Sequence, residues 1–186
     1  YKQNDSADFF DPQWMFGLKG FDVVIGNPPY GAFVELKLRK GFSEDYDLPL
    51  PITDSYSLFL LNAKNLLKRS GIRTFITPST WLYMPSYVKL RRALLKEFNL
   101  NRLVLFREPV FEAVVETCIE ISSFADDCND SYTYNEITLT ASDLNQTTSE
   151  VSLSTVLQTD DLNLVPMAGG KSNKLFERLK NNSIPL

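Results

Sequence analysis

The first two thirds of the chain alternate between short apolar runs and stretches in which apolar residues recur at helical spacing. Residues 21–25 contain two valines and an isoleucine and end at Gly26 and two prolines, a pattern that is typical of a buried strand. Three later apolar runs predict further strands, and the last of them is the longest. They cover residues 72–77, 102–106 and 114–124.

Two amphipathic helices are predicted between these strands. The first spans residues 55–69, with Asp54 as its N-cap and an apolar stripe that begins at Phe59. The second begins near Pro85, because proline suits the first position of a helix. Opposite its apolar face this helix carries a basic stripe, which consists of Lys89, Arg92 and Lys96.

The alternation of strands and helices predicts an α/β fold, with a mostly parallel sheet, crossover helices and one antiparallel strand. Residues 31–51 show no sustained period, so they are predicted to form a long loop. After Ala125 the sequence is rich in Asp, Asn, Ser and Thr, which predicts a small β-rich extension that ends in a helix at residues 173–180. We therefore divide the chain into residues 1–125 and residues 126–186.

The composition excludes several classes of site. The 186 residues include no histidine, which excludes a Ser-His-Asp mechanism and imidazole-ligated metals, and we expect no metal site. Two cysteines form no disulfide framework, so a reduced, cytoplasmic protein is expected. No apolar run approaches the roughly 20 residues that span a bilayer. The net charge of −4 argues against a wholly basic nucleic-acid binder. The basic stripe could nevertheless steer DNA, or could be ordinary solvated surface.

The strongest chemical signal is Asn27-Pro28-Pro29-Tyr30, directly after the first predicted strand. Loops at the carboxyl ends of strands bind ligands in open α/β sheets. The exocyclic amine of adenine is a poor nucleophile, because its lone pair is delocalised into the ring. The side-chain oxygen of Asn27 and the carbonyl of Pro28 can accept hydrogen bonds from the two N–H groups of this amine. Such bonds favour a pyramidal nitrogen. The prolines hold the segment extended, and Tyr30 can stack on a base lifted from the duplex. The alternative is an ordinary turn after a strand.

Residues 21–30 resemble motif IV of the amino-methyltransferases that act on exocyclic nitrogens. The chain is similar to the adenine-specific (N6) DNA methyltransferases of bacterial restriction-modification systems, including fused restriction-methylation enzymes. The similarity continues in order through SLFL, LLKRSG, ITPSTWL, LRR, VF and CIEI, and covers residues 5–125. It implies the C-terminal half of a Rossmann-like S-adenosylmethionine-dependent methyltransferase domain. It also implies double-stranded DNA and a fused or separate restriction endonuclease as partners.

The resemblance implies roles for individual residues. Tyr30 would stack on one face of the flipped adenine and Phe111 on the other. Four residues would contact the cofactor: Asp8, Phe9, Asn27 and Phe59. Phe59 and Phe111 could instead belong to the apolar core, as most apolar stripes do. The basic stripe is the candidate contact to the DNA backbone.

The family's Gly-rich turn, which grips the methionine end of the cofactor, should lie several dozen residues before Asp8. The chain begins too late to include it, so we expect a fragment that binds cofactor poorly and methylates little alone. A DNA-recognition domain is expected after Leu186. Two alternatives stay open, because the same motif serves methyltransferases of protein glutamine or RNA, and a non-catalytic methyltransferase-like module could bind DNA. The sequence after Ala125, together with Phe111, favours DNA.

Overall fold

The computed structural model describes residues 11–31, 34–48, 54–111, 115–124, 129–139 and 144–166. Six strands and five α-helices lie within these ranges. In chain order they are α1 (Pro12–Phe16), β1 (Phe21–Gly26), α2 (Leu36–Tyr46), α3 (Ser55–Asn62), β2 (Leu67–Pro78), α4 (Val88–Glu97), β3 (Asn99–Phe106), β4 (Thr117–Ser123), β5 (Ser131–Leu139), β6 (Leu144–Ser152) and α5 (Leu153–Leu157). Short 3-10 turns occur at Ala63–Asn65, Ser79–Leu82 and Pro85–Tyr87.

The strands form one sheet in the order β1-β2-β4-β3-β5-β6. β1 is parallel to β2 and β3 is parallel to β5, whereas β4 lies antiparallel between β2 and β3. β6 is antiparallel to β5 at the far edge. β1, β2, β3 and β5 therefore run in one direction, which confirms the predicted α/β fold with a mostly parallel sheet and an antiparallel strand.

The carboxyl ends of β1, β2 and β3 meet at one edge of the sheet, which we call the carboxyl edge. Gly26 at the end of β1 pairs with Phe75 of β2. Pro78 at the end of β2 and Phe106 at the end of β3 both pair with Thr117, the first residue of β4. The loop after β1, the turn after β2 and the β3–β4 connection therefore leave the sheet at the same edge, where ligands bind in open α/β sheets.

One face of the sheet is covered by α3 and α4, which also contact each other. Alternate residues of the central strands point into this face, because strand side chains alternate between the two faces of a sheet. The buried residues on this face are Arg73, Phe75, Thr77, Leu103, Leu105, Cys118 and Glu120. The helices and the turn after β2 contribute Leu60, Leu61, Trp81, Leu82, Leu90 and Leu94 to the same core.

The opposite face is less well covered within the described ranges. Val23 and Ile25 of β1 are 56% and 78% exposed, and Ile72 of β2 is 42% exposed. The strand predicted at residues 21–25 is confirmed, but its predicted burial is wrong, since none of its side chains is fully buried. The reason is that β1 lies at the edge of the sheet and that no described helix covers the face to which Val23 and Ile25 point.

The loop predicted at residues 31–51 is wrong over α2, which occupies much of that segment. Its apolar residues are few and lie among charged ones, so the helical period is faint. Leu38, Phe42 and Tyr46 nevertheless recur every four residues, which places them on one side of a helix. Leu38 and Phe42 face α3 and line a groove with Leu58.

The boundary between α3 and β2 also differs from the prediction. α3 ends at Asn62 rather than at residue 69, and β2 already begins at Leu67. The register between β1 and β2 shifts across residues 68–71, where Ser70 has a φ of 65°. The N–H of Ser70 donates to the carbonyl of Phe124 at 2.6 Å. Ser70 and the glycine after it therefore shape a bulge within a strand, although the same residue types can also end a helix.

The strands of the predicted β-rich extension continue the main sheet, because β5 pairs with β3. The segment after α5 then returns to the core, where Leu162 and Leu164 are buried. The N–H of Leu164 donates to the carbonyl of Leu82 at 3.0 Å, and the hydroxyl of Tyr132 donates to the carbonyl of Leu164 at 2.5 Å. The division at residue 125 stays a prediction, and the helix predicted at residues 173–180 lies outside the described residues.

Candidate active site at the carboxyl edge of the sheet

The motif loop, residues 27–30, leaves β1 at the carboxyl edge of the sheet. Gly26, the last residue of β1, lies so close to β2 that a Cβ there would be 3.0 Å from Cε1 of Phe75. In the loop itself, Asn27 and Pro29 are exposed, whereas Pro28 is buried. The loop is therefore anchored through Pro28 while the polar side chain of Asn27 is accessible at the edge where three strands end.

Two hydrogen bonds join the motif loop to neighbouring elements. The hydroxyl of Tyr30 donates to the carbonyl oxygen of Ile76 on β2 at 3.2 Å. The hydroxyl of Ser55, the first residue of α3, donates to the carbonyl oxygen of Pro29 at 2.5 Å. Ser55 is not among the site residues predicted from the sequence. Its position directly after the predicted N-cap Asp54 was the only signal available.

The hydroxyl of Tyr30 remains protonated and available as a donor. Burial raises the pKa of Tyr30, and the nearby thiol of Cys118 raises it further. Burial also raises the pKa of Cys118 to about 12, and its sulfur lies 3.5 Å from the hydroxyl of Thr77. The indole N–H of Trp81 donates to that same hydroxyl at 3.0 Å. The phenol of Tyr30 and the thiol of Cys118 are therefore both neutral at neutral pH.

The start of α3 contacts the 3-10 turn that precedes α4. Asp54 occupies the N-cap position as predicted, but its side chain makes no capping hydrogen bond. Its carboxylate instead accepts a hydrogen bond from the hydroxyl of Tyr87 at 3.1 Å. The rings of Tyr56 and Tyr87 lie 6.5 Å apart, and burial raises the pKa of both phenols. These contacts fix the first helical turn, which carries Ser55.

Phe59 lies on the accessible side of α3. It is 49% exposed, whereas its helical neighbours Leu58, Leu60 and Leu61 are buried. The apolar stripe predicted to place Phe59 on the core side of the helix is therefore wrong. The buried face of α3 is formed by Leu58, Leu60 and Leu61 instead. Phe59 opens onto an apolar groove of about 300 Å³ between α2 and α3. Leu38, Phe42 and Phe75 also line this groove.

Of the other predicted site residues, the structure describes Phe111 but not Asp8 or Phe9. Phe111 lies in the β3–β4 connection, at the same edge of the sheet as Tyr30, and is 40% exposed. No ring contact joins Phe111 to Tyr30 among the described residues. Asp8 and Phe9 lie outside the described residues. Their roles, and the stacking role of Phe111, stay predictions.

The basic stripe lies along the outer side of α4. The amino group of Lys89 pairs with the carboxylate of Asp47 at 2.9 Å, whereas Arg92 and Lys96 are exposed. All three residues line an open groove of about 580 Å³ that contains four acidic and four basic side chains. Because these charges balance, the stripe is not an isolated positive surface, and its contact with the DNA backbone stays a prediction.

The part of the chain that the structure describes contains no group of three or more His, Cys, Asp or Glu side chains that could hold a metal ion. Within the same ranges, every helix is too short or too polar to cross a membrane.

Comparison with known proteins gives a consistent family match. Residues 1–111 match the family model described as Eco57I restriction-modification methylase. RM.MjaORFECS2P of Methanocaldococcus jannaschii is 35% identical over 109 residues, covering 58% of this chain and 9% of that protein. The type II restriction enzyme and methyltransferase RM.Eco57I of Escherichia coli is 31% identical over 91 residues, covering 46% of this chain and 9% of that protein. The chain therefore spans a small part of the length of these relatives.

A solved structure supports the same fold. The methyltransferase subunit of a type I restriction-modification system from Streptococcus thermophilus matches with a TM-score of 0.63 and 19% identity. The match covers 79% of this chain and 37% of that subunit. The sheet described above is thus the fold of part of a methyltransferase domain.

Proposed function

Because the chain belongs to the Eco57I restriction-modification methylase family, we propose that it forms the target-base half of the catalytic domain of an adenine-N6 DNA methyltransferase. The observation that carries this proposal is the motif loop. It places an accessible Asn27 at the carboxyl edge of the sheet, and it is anchored by the buried Pro28 and by hydrogen bonds from α3 and to β2.

The motif loop supplies hydrogen-bond acceptors for the amine of adenine. The side-chain oxygen of Asn27 and the carbonyl oxygen of Pro28 accept hydrogen bonds from the two N–H groups of this amine. These bonds localise the lone pair on N6. Catalysis then rests on position and electrostatics, because the acceptors are aimed before the reaction begins. No general base is needed to activate N6, which agrees with a chain that contains no histidine.

The residues beside the motif loop fit one part of S-adenosylmethionine, the cofactor that this family implies. Phe59 lines the groove between α2 and α3, which has a volume of about 300 Å³ and is surrounded by aromatic and aliphatic side chains. Such a groove suits a purine ring. Phe59 would contact the adenine of the cofactor there, with Asp8 and Phe9 against the same ring. When bound, the cofactor supplies the sulfonium methyl group that N6 acquires.

The target adenine must leave the duplex to reach Asn27, at a cost of a few kcal/mol for unstacking. Tyr30 offers one stacking surface, since its hydroxyl bond to Ile76 fixes the ring at the carboxyl edge. Phe111 is exposed at the same edge and would cover the other face of the base. Stacking between two aromatic rings would then offset part of the unstacking cost.

We propose double-stranded DNA as the substrate and a fused or separate restriction endonuclease as the partner. The name of the Escherichia coli relative combines a restriction enzyme with a methyltransferase. Of the basic stripe, Arg92 and Lys96 are the better candidates for phosphate contacts, because Lys89 is already paired with Asp47.

The experiment that tests this function measures the transfer of labelled methyl from S-adenosylmethionine to mixed-sequence duplex DNA by the full-length protein. Asn27→Ala removes an acceptor and should lower the rate by about 100-fold or more, because the lost bond orients and activates the nucleophile. Asn27→Asp keeps an acceptor oxygen and should retain more activity than Asn27→Ala.

Binding is the control for this comparison. DNA affinity of Asn27→Ala should stay within about threefold of the wild type, since one accessible side chain contributes little to backbone contacts. Wild-type rates in Asn27→Ala would contradict the role of the motif loop. Label on RNA or protein instead of DNA would favour the other substrates of this motif, and no transfer to any substrate would favour a non-catalytic module.

A further inference from the structure

The motif loop has an unusual shortage of hydrogen-bond donors. Pro28 and Pro29 lack a backbone N–H, so neither residue can donate a bond that would lock the turn from within. The carbonyl groups of the loop must nevertheless point in fixed directions if one of them is to accept a hydrogen from N6. The constraint therefore has to come from groups other than these two backbone nitrogens, such as side chains that bond to the loop carbonyls.

Ser55 provides such a constraint from the first turn of α3. The residue is 3% exposed, and its hydroxyl donates to the carbonyl oxygen of Pro29 at 2.5 Å. The preceding residue Asp54 accepts a hydrogen bond from Tyr87 in the 3-10 turn before α4, which restrains the start of the helix that carries Ser55. The hydroxyl thus couples the motif loop to the rigid core of the sheet and helices.

The constraint reaches the neighbouring carbonyl through the proline ring. Peptide units are planar, and the pyrrolidine ring locks φ of Pro29. Only one freely rotating dihedral, ψ of Pro29, therefore separates the carbonyl that Ser55 holds from the carbonyl of Pro28. When Ser55 fixes the first carbonyl, the direction of the second becomes restricted as well.

We propose that Ser55 is a positioning residue, which aims the Pro28 carbonyl at the amine of the target base by holding the Pro29 carbonyl. This inference rests on the proposed function. It predicts that the hydroxyl of Ser55 affects the rate of methyl transfer and leaves the binding of DNA and cofactor nearly unchanged.

Ser57 offers a matched control two residues further along α3. It is fully buried, and its hydroxyl has no hydrogen-bond partner among the described residues. Ser57→Ala and Ser55→Ala therefore remove the same atom from the same helix at similar burial. Only Ser55→Ala removes a bond to the motif loop.

The experiment compares kcat and KM of the full-length wild type, Ser55→Ala, Ser57→Ala and Ser55→Thr in methyl transfer to duplex DNA. Ser55→Ala should lower kcat by about 10- to 100-fold, because small displacements of a reacting geometry have effects of this size. KM for DNA and for S-adenosylmethionine should change by less than about threefold. Ser57→Ala should match the wild type, and Ser55→Thr, which keeps the hydroxyl, should recover most of kcat.

Several outcomes would overturn the proposal. A kcat for Ser55→Ala equal to that of Ser57→Ala would show that Ser55 only fills space. If Ser55→Ala unfolds at a lower temperature than Ser57→Ala, Ser55→Cys replaces it, because the thiol keeps the volume and is a much weaker donor. A wild-type kcat in Ser55→Cys would then refute the role. No transfer by the wild type would refute the proposed function and this inference with it, whereas active wild type with active Ser55→Ala would refute the inference alone.

Discussion

The buried ion pair between Arg73 and Glu120 joins β2 to β4 beneath the helices, and it gives the strongest stability prediction. Nη2 and Nε of Arg73 lie 2.9 and 3.2 Å from Oε1 of Glu120, and both side chains are 1% exposed. Nη1 of Arg73 donates to the carbonyl of Leu60 on α3, and the guanidinium carbon lies 3.6 Å from the centroid of the Phe98 ring. Burial lowers the pKa of Arg73, and the charge of Glu120 opposes that effect.

Glu120→Gln would leave a buried guanidinium without its counter-charge. Removing one partner of a buried pair costs about 3–5 kcal/mol. The Leu60 carbonyl and the Phe98 ring still face the cation, so we expect the lower end, about 3 kcal/mol. That value is a large fraction of the roughly 5–15 kcal/mol that stabilises a typical domain. Replacing both charges, as in Arg73→Met with Glu120→Leu, should return the free energy of unfolding to within about 2 kcal/mol of the wild type.

Urea denaturation followed by far-ultraviolet circular dichroism measures these differences. With an m-value of about 2 kcal/mol/M, Glu120→Gln should lower the midpoint by about 1.5 M. The double variant should recover most of that loss. A midpoint for Glu120→Gln within about 0.3 M of the wild type would refute the reasoning. So would a double variant that is less stable than Glu120→Gln, because the cost would then not come from an uncompensated buried charge.

Three further predictions concern individual side chains. Burial raises the pKa of Cys118 to about 12. In a variant that lacks the other cysteine, iodoacetamide at pH 8 should therefore label Cys118 only after unfolding. Rapid labelling of the native protein would contradict this. The hydrogen bond from Arg107 lowers the pKa of Glu136. The pair therefore contributes its full stability at pH values above the ordinary carboxyl pKa, and this stability is lost as pH falls through the lowered pKa of Glu136. Glu136→Gln should remove that part of the acid dependence in thermal melts, and an unchanged profile would refute it. If Arg92 and Lys96 contact phosphates, replacing both by Gln should reduce the slope of log K against log salt by about 1.8, and an unchanged slope would show ordinary surface charge.

The features that could be predicted from the sequence are those that depend on the order of neighbouring residues along the chain. The β-branched run before Gly26 indicates β1, and the four residues after it, together with the ordered motifs that follow, indicate the motif loop. The antiparallel position of β4 follows from two strands joined without a helix. Each of these depends on residues that are close together in the chain, so the sequence carries the information directly.

The features that were missed depend on neighbours in space. The bulge at Ser70 arises from pairing with β1 and a bond to Phe124, so the same Ser-Gly pair looked like a helix end. Phe59 shares the spacing of core residues, yet the packing of α3 leaves it accessible. In the sequence only its position next to Asp54 distinguishes Ser55 from Ser57, and it is the fold that brings it to the carbonyl of Pro29.

In the proposed function, the motif loop directs methyl transfer to the exocyclic amine of adenine in DNA. Mass spectrometry of nucleosides, released from duplex DNA after incubation with the full-length protein and S-adenosylmethionine, tests it most directly. We predict N6-methyldeoxyadenosine with the wild type and only background amounts with Asn27→Ala. Methylated cytosine, or equal amounts of N6-methyldeoxyadenosine with both proteins, would contradict the account.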